Sequence, residues 1–362
     1  MESEKKATSY IAIFVLCLLL LFLFLYNPSA TSEQLYQGMR LCAETLIPAL
    51  FPYMVISEML VRSGAVSVIS PIIGKVTEKL FGISGAGGTA IILGILCGFP
   101  IGAKTAAELY GKGVISKEEA ERLMGICNLP SPPFIIFAVG EKLFGSRGAG
   151  LFLYLNVLAV TMIIGMLGRK SCQPCARIEN SRSEPIFSVF TESVASAAGA
   201  VIKVCAYVAF FSAVIGGLTP FFEGTSPTLK ATVFSFFELT SGAAACSTLA
   251  ERGRGLIIAS AAAGWSGLSV FCQIFSISRT KSGSISMRYY LTSKIVSSAV
   301  CAAITAVCLK FFKKLIPPAP TADDAVSLAS LYPTAFISAV NIIFIISLFI
   351  YLIKNLDRRR NI

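Results

Sequence analysis

Apolar runs of membrane-spanning length recur along the chain, and short polar or basic loops separate them. Tyr10–Tyr26 is rich in leucine and phenylalanine. Residues 148–168, 289–312 and 334–353 are further runs near the ~20 residues that a helix needs to cross a bilayer. In hydrocarbon every backbone polar group must be paired within the chain, which leaves helices or closed barrels. No ten-residue alternation of apolar and polar positions marks barrel strands. With 55% hydrophobic and 14% charged residues in 362, the pattern predicts an all-α fold, a polytopic transmembrane helical bundle.

The charge follows from the same arrangement. The net charge of +11 sits in the loops between apolar runs, as the positive-inside bias places it. No basic stripe with interleaved aromatics is present, so no nucleic-acid partner is expected. The chain has 11 cysteines and no histidine. Cys17, Cys97, Cys205, Cys301 and Cys308 lie inside apolar runs, as small hydrophobes do. Cys172 and Cys175 form a C-x-x-C without a second pair or a histidine, so no zinc site is expected. Histidine-based catalysis is excluded, and neither a Ser-His-Asp set nor H-E-x-x-H occurs. The chain is not read as an enzyme, and no cofactor is expected.

Taken in order, residues 1–42 form an uncleaved first span, ended by Asn27 and Pro28, and a polar interfacial helix. Residues 43–168 form a first half. It holds an apolar segment interrupted by Pro48 and Pro52, an amphipathic stretch over 65–81, and a glycine-rich turn over 82–88. Ser116 and Glu119 read as a capping box. Residues 169–185 are a basic linker placed in the cytosol. Residues 186–314 form a second half, and residues 315–362 hold a proline-rich loop and a last span.

Four breaks interrupt the apolar pattern. The first is Gly98-Phe99-Pro100-Ile101-Gly102, followed by a helix carrying Lys104 and Glu108. Proline removes a backbone donor and glycine loosens the helix, so amides and carbonyls come free there. Such backbone is tolerated at membrane depth where it is buried in protein or lines a wet cavity. A helix starting near Ala103 points free amides and its positive dipole end into the break. Lys104 adds a full charge, and Glu108 on the same face can neutralise it when the site is empty. The second break is Glu238-Leu239-Thr240-Ser241-Gly242, with two hydroxyls, a helix restarting near Gly242, and a carboxyl able to take a proton or cation. The third and fourth carry Asn128 and Ser131, then Ser266, Ser269 and Gln273, neutral hydrogen-bonders that orient a polar ligand. The candidate binding residues are therefore Gly98, Pro100, Gly102, Lys104, Glu108, Asn128, Ser131, Glu238, Thr240, Ser241, Gly242, Ser266, Ser269 and Gln273. Trp265 reads as an interfacial anchor or a stacking platform.

Gly102 and Gly242 align with their small neighbours and closing basic-glycine pairs, so the second half reads as a repeat of the first. Lys5 and Lys6 place the N-terminus inside, and Arg358, Arg359 and Arg360 do the same for the C-terminus. Each half then crosses an odd number of times, in opposite directions. Lys310, Lys313 and Lys314, on the outer side in this scheme, run against the bias. The expectation is two inverted repeats with broken or re-entrant helices, a plan of secondary transporters.

At these residues the chain resembles the sporulation integral membrane protein YlbJ (SpoVV) family, which is related to the gate domains of nucleoside-transporter-like proteins. The resemblance rests on Gly98-Phe-Pro-Ile-Gly-Ala-Lys104, the stretch from Glu108 to Arg122, Asn128-Leu-Pro-Ser-Pro132, Phe237-Glu-Leu-Thr-Ser-Gly242 and Gly267-Leu-Ser-Val270 with Gln273. It covers about residues 10–354. The chain departs from the family pattern at Ile101, where serine is usual, near Phe271, where histidine is usual, and at Leu129. The resemblance implies transport of dipicolinate, a pyridine dicarboxylate, from mother cell to forespore through the outer forespore membrane. The expected partners are a small carboxylate, with calcium or protons, the lipid bilayer, and a second copy in a homo-oligomer. The alternatives are a structural or assembly protein of the spore envelope and a nucleoside or ion permease.

Overall fold

The computed structural model describes residues 2–170, 185–280 and 282–311. Most of the linker 169–185, with Cys172 and Cys175, and the whole of 315–362 lie outside the described residues. Among those described, the fold is helical as expected, apart from one hairpin. There Arg279 pairs with Ser284 and Thr280 with Gly283.

The chain begins with α1 (Glu2–Tyr26) and α2 (Pro28–Leu41), bent by 99° at Asn27. Asn27 makes the bend by capping α2: its Oδ1 accepts from the Ala30 amide at 3.0 Å. A short π-turn, Cys42–Leu46, leads into α3 (Ile47–Arg62). Pro52 sits inside α3 without breaking it, contrary to the interruption expected there.

Next come α4 (Val66–Phe81) and α5 (Gly85–Cys97), bent by 86°. The glycine-rich turn expected over 82–88 is a turn only at Gly82, which closes α4 with φ +60°. Gly85, Gly87 and Gly88 are helical and buried. A Cβ at Gly85 would sit on the Ser70 carbonyl, and one at Gly88 would lie 2.6 Å from Ile73 Cγ2. These glycines let α5 lie against α4, a packing role that local sequence does not reveal. α6 (Ile101–Gly111) and α7 (Lys117–Ile126) follow. Ser116 caps α7 as expected, accepting from the Glu119 amide at 3.1 Å. The Glu119 carboxylate reaches across to α5, receiving the Ser84 amide at 2.8 Å and its hydroxyl at 2.6 Å. A π-helical segment, Phe134–Leu143, continues beyond the Pro132-Pro133 pair, and α8 (Arg147–Leu167) completes the first half.

The second half holds α9 (Ile186–Leu218), α10 (Pro227–Phe237), α11 (Leu239–Ser247), α12 (Arg252–Trp265), α13 (Gly267–Ile277) and α14 (Arg288–Phe311). α9 has 33 residues and so runs about 50 Å, longer than the ~30 Å hydrocarbon core. Among the described residues four helices or helix pairs are long and apolar enough to cross a membrane, and up to six if each bent pair is one span. Their outward positions, such as Ile11, Phe14, Phe22, Ile163 and Ile295, are apolar and exposed. That pattern suits a lipid solvent rather than water.

Two buried apolar clusters form the interior. One joins α5, α6, α7 and α13, and the other joins α8, α11, α12 and the π-helical segment. Ile95, Phe99 and Met162 pack against both. Contacts at the helix termini define two ends. At one end Tyr110 Oη donates to the Ser282 carbonyl at 3.2 Å, and the Ser286 amide to Glu121 at 3.2 Å. Arg122 there donates to the Gly82 carbonyl at 3.1 Å and the Lys170 carbonyl at 3.3 Å. At the other end Arg252 donates to the Phe144 carbonyl at 2.9 Å and stacks over its ring.

Candidate functional site

The first and third breaks form one feature. Gly94, Gly98 and Gly102 recur at intervals of four across the join of α5 and α6. A Cβ at Gly94 or Gly102 would strike the Cys127 carbonyl, and one at Gly98 would lie 2.5 Å from the Ser131 amide nitrogen. Gly98 also has φ +79°, where a side chain is strained. The Phe99 amide donates to the Leu129 carbonyl at 2.7 Å. One freed amide and one freed carbonyl of the two irregular segments are thus paired with each other, part of what hydrocarbon demands. Phe99-Pro100 is a cis peptide. α6 opens at Ile101 with no side-chain cap on its first amides.

The second and fourth breaks also pack on each other, here through close backbone approach. Ser266, between α12 and α13, has φ +74°, and Gly267 has φ +87°. A Cβ at Gly267 would lie 3.1 Å from the Leu239 amide nitrogen. The opening of α11 differs from the expected one. It starts at Leu239 rather than near Gly242, and Glu238 caps it. The carboxylate accepts from the Thr240 amide at 3.0 Å and the Ser241 amide at 2.7 Å. The amides that were expected to face a ligand thus face the protein's own buried carboxylate. Gly242 instead lets α11 close onto Ser235 of α10. Trp265 stacks on Phe236 with centroids 5.5 Å apart and donates to its carbonyl at 3.0 Å.

The two pairs of breaks meet at Lys294 of α14, a residue that the sequence reading passed over. It is 1% exposed. Its ammonium donates to the Asn128 carbonyl and, at 3.2 Å, to Ser266 Oγ. Nearby, Gln273 donates to Ser269 Oγ at 3.3 Å, and Asn128 Nδ2 donates to the Met124 carbonyl at 2.6 Å. Ser131 Oγ accepts from the Phe134 amide at 3.4 Å. One signal for Lys294 was in the sequence: a lysine six residues into an otherwise apolar span.

Lys104 lies in a different setting. Its ammonium is ion-paired with Glu58 of α3, donates to Ser196 Oγ of α9 at 3.1 Å, and stands 4.0 Å from Glu108. Glu58, rather than the expected Glu108, is the close counter-charge. Ser196 donates to Glu58 at 3.1 Å, and Arg62 joins Glu58 at 3.4 Å to Glu192 at 2.6 Å. Lys104 is therefore part of a polar seam between α3, α6 and α9, with Ser57 and Thr105 3.2 Å apart beside it. Glu58, Ser196 and Glu192 are far from Lys104 in sequence, so spacing could not pair them.

Long apolar helices around breaks that pack in pairs define a multi-pass helical membrane protein. The chain is 33% identical over 155 residues to the sporulation integral membrane protein YlbJ of Bacillus subtilis (strain 168), a match covering 42% of this chain. That similarity supports the assignment to the YlbJ family that the motifs implied. The aligned region spans 38% of the relative's own length. No family model matches the chain, and no solved structure does.

Proposed function

We propose that the protein is an inverted-repeat membrane transporter for a small organic anion, with dipicolinate, moved from mother cell to forespore during sporulation, as the leading substrate. The observation that carries this reading is the pairing of breaks from both halves around buried polar side chains. α5 and α6 form a hairpin whose outer ends lie with Ser84 and Gly111, at the end where Ser282 sits. The hairpin of α10 and α11 has its outer end near Arg252, which belongs to the opposite end. Each hairpin tip packs on a second break, Cys127–Ser131 or Ser266-Gly267. α7 with the π-helical segment, and α12 with α13, would then be the corresponding crossings in opposite directions. Hairpins entering from opposite sides, with broken crossings beside them, are the recurrent device for a midplane site.

The family resemblance supplies the substrate, and the sporulation name of the similar protein is in keeping with it. This reading puts the protein in the outer forespore membrane with both termini cytosolic. Purified protein in proteoliposomes should accumulate labelled dipicolinate, and imposing a proton gradient should test coupling. Liposomes that take up no more dipicolinate than protein-free ones would overturn the proposal in favour of a structural role. Competition by nucleosides in the same assay would favour a nucleoside permease.

A further inference from the structure

We infer that Lys294 is the charge-recognising group of a carboxylate site built where the two pairs of breaks meet, an inference that rests on the anion-transport reading and moves its charge contact away from Lys104. Two of the groups that the sequence offered to an anion are engaged internally. Lys104 is paired with Glu58, and the first amides of α11 hold Glu238. Lys294 has no carboxylate within 4.0 Å among the described residues; its hydrogen bonds go to two neutral oxygens. An ammonium has three donors, so one remains for a ligand.

The surroundings offer further polar groups with no internal use. Tyr290 Oη is buried without a hydrogen-bond partner, and its ring centroid lies 5.7 Å from the Lys294 nitrogen. Its hydroxyl is a donor available to a carboxylate oxygen. Gln273 Oε1 is likewise buried and unpartnered. Reversing that amide lets Ser269 donate to Oε1 and releases the Nε2 donors. Phe271 of α13 packs on Tyr290 with centroids 5.9 Å apart, so α13 lies against α14 beside Lys294. A buried ammonium facing only neutral acceptors is costly unless a counter-charge arrives, and a small carboxylate supplies it. Because Asn128 and Ser266 belong to breaks in different halves, an anion drawing on Lys294 acts on both at once.

The test uses purified full-length protein, with binding measured calorimetrically and uptake measured in proteoliposomes. The probes are pyridine-2,6-dicarboxylate and its uncharged analogue, pyridine-2,6-dicarboxamide. The wild type should bind the dicarboxylate and not the dicarboxamide. Lys294→Gln should weaken dicarboxylate binding roughly tenfold or more, the loss expected for one charged hydrogen bond, and Lys294→Arg should weaken it less. Unchanged affinity in Lys294→Gln, or equal losses in the Gln and Arg variants, overturns the assignment while leaving the transport reading standing. Equal binding of dicarboxamide by the wild type overturns it too, and that comparison decides the matter if neither variant folds. A wild type that neither binds nor takes up the dicarboxylate defeats the transport reading itself, and this inference with it.

Discussion

At Gly98 and Gly102 the chain tolerates no side chain, and the reason is backbone rather than flexibility. Gly102 lies against the Cys127 carbonyl, and Gly98 adds a positive φ. Gly102→Ala should therefore cost about 1–3 kcal/mol through overpacking, read as a lower unfolding temperature in detergent micelles. Gly111→Ala, at a position with open space, should stay within about 0.5 kcal/mol. Equal effects of the two substitutions would refute the close-approach account. Glu238 makes a second case at this scale. Glu238→Ala removes the cap of α11 and should cost about 0.5–2 kcal/mol. Glu238→Gln keeps an acceptor for one of the Thr240 and Ser241 amides and should lose less in the same melt.

Between elements, the seam of α3, α6 and α9 depends on a charge pair with little exposure on either side. Glu58 is 3% exposed and the Lys104 side chain 20%. Removing one partner leaves the other with a longer ion pair only, Arg62 at 3.4 Å for Glu58 or Glu108 at 4.0 Å for Lys104, so Glu58→Gln or Lys104→Met alone should destabilise by up to about 3 kcal/mol, the lower end for buried pairs because Lys104 keeps some water. The double variant should recover part of that loss, and a cycle of the four unfolding temperatures checks it; strictly additive losses would show that the two charges are not coupled. The same seam shows what sequence can and cannot convey. The breaks at Gly98, Asn128, Glu238 and Ser266 were legible because proline, glycine and capping chemistry act over three or four residues. The cap at Ser116 was legible for that reason. The role of Gly85 and Gly88 was not, because a helical glycine and a loop glycine look alike until the neighbouring helix is known. Glu58 and Lys294 escaped for a related reason: each meets decisive partners on other helices, Lys104 and Ser196 for Glu58 and Asn128 and Ser266 for Lys294, where tertiary contact and not spacing decides. Asn156 belongs with them, donating at 3.1 Å to Ser260 and at 3.1 Å to Thr305, a polar tie between α8, α12 and α14.

For the molecule as a whole, the inverted arrangement makes a claim about sides that charge alone states weakly, since Lys310 opposes the bias. The ends defined by contact allow a sharper one. Lys117 opens α7 at the end shared with Ser84 and Ser282, whereas Glu251 opens α12 at the end shared with Phe144. Thr225 follows the far terminus of α9, beyond a helix long enough to cross once. All three positions are exposed. If α5 with α6 and α10 with α11 are hairpins entering from opposite faces, Lys117 lies on one side of the membrane and Thr225 and Glu251 on the other. Single cysteines at these positions, in a background stripped of native cysteine and expressed in the plasma membrane of non-sporulating cells, can be read with a membrane-impermeant maleimide in intact cells and again after lysis. With the N-terminus inside, the cysteine in Lys117→Cys should react only after lysis, and those in Thr225→Cys and Glu251→Cys in intact cells. Labelling of positions 117 and 251 from the same side would remove the inverted repeat. With it would go the reason for two breaks from opposite faces to converge on Lys294.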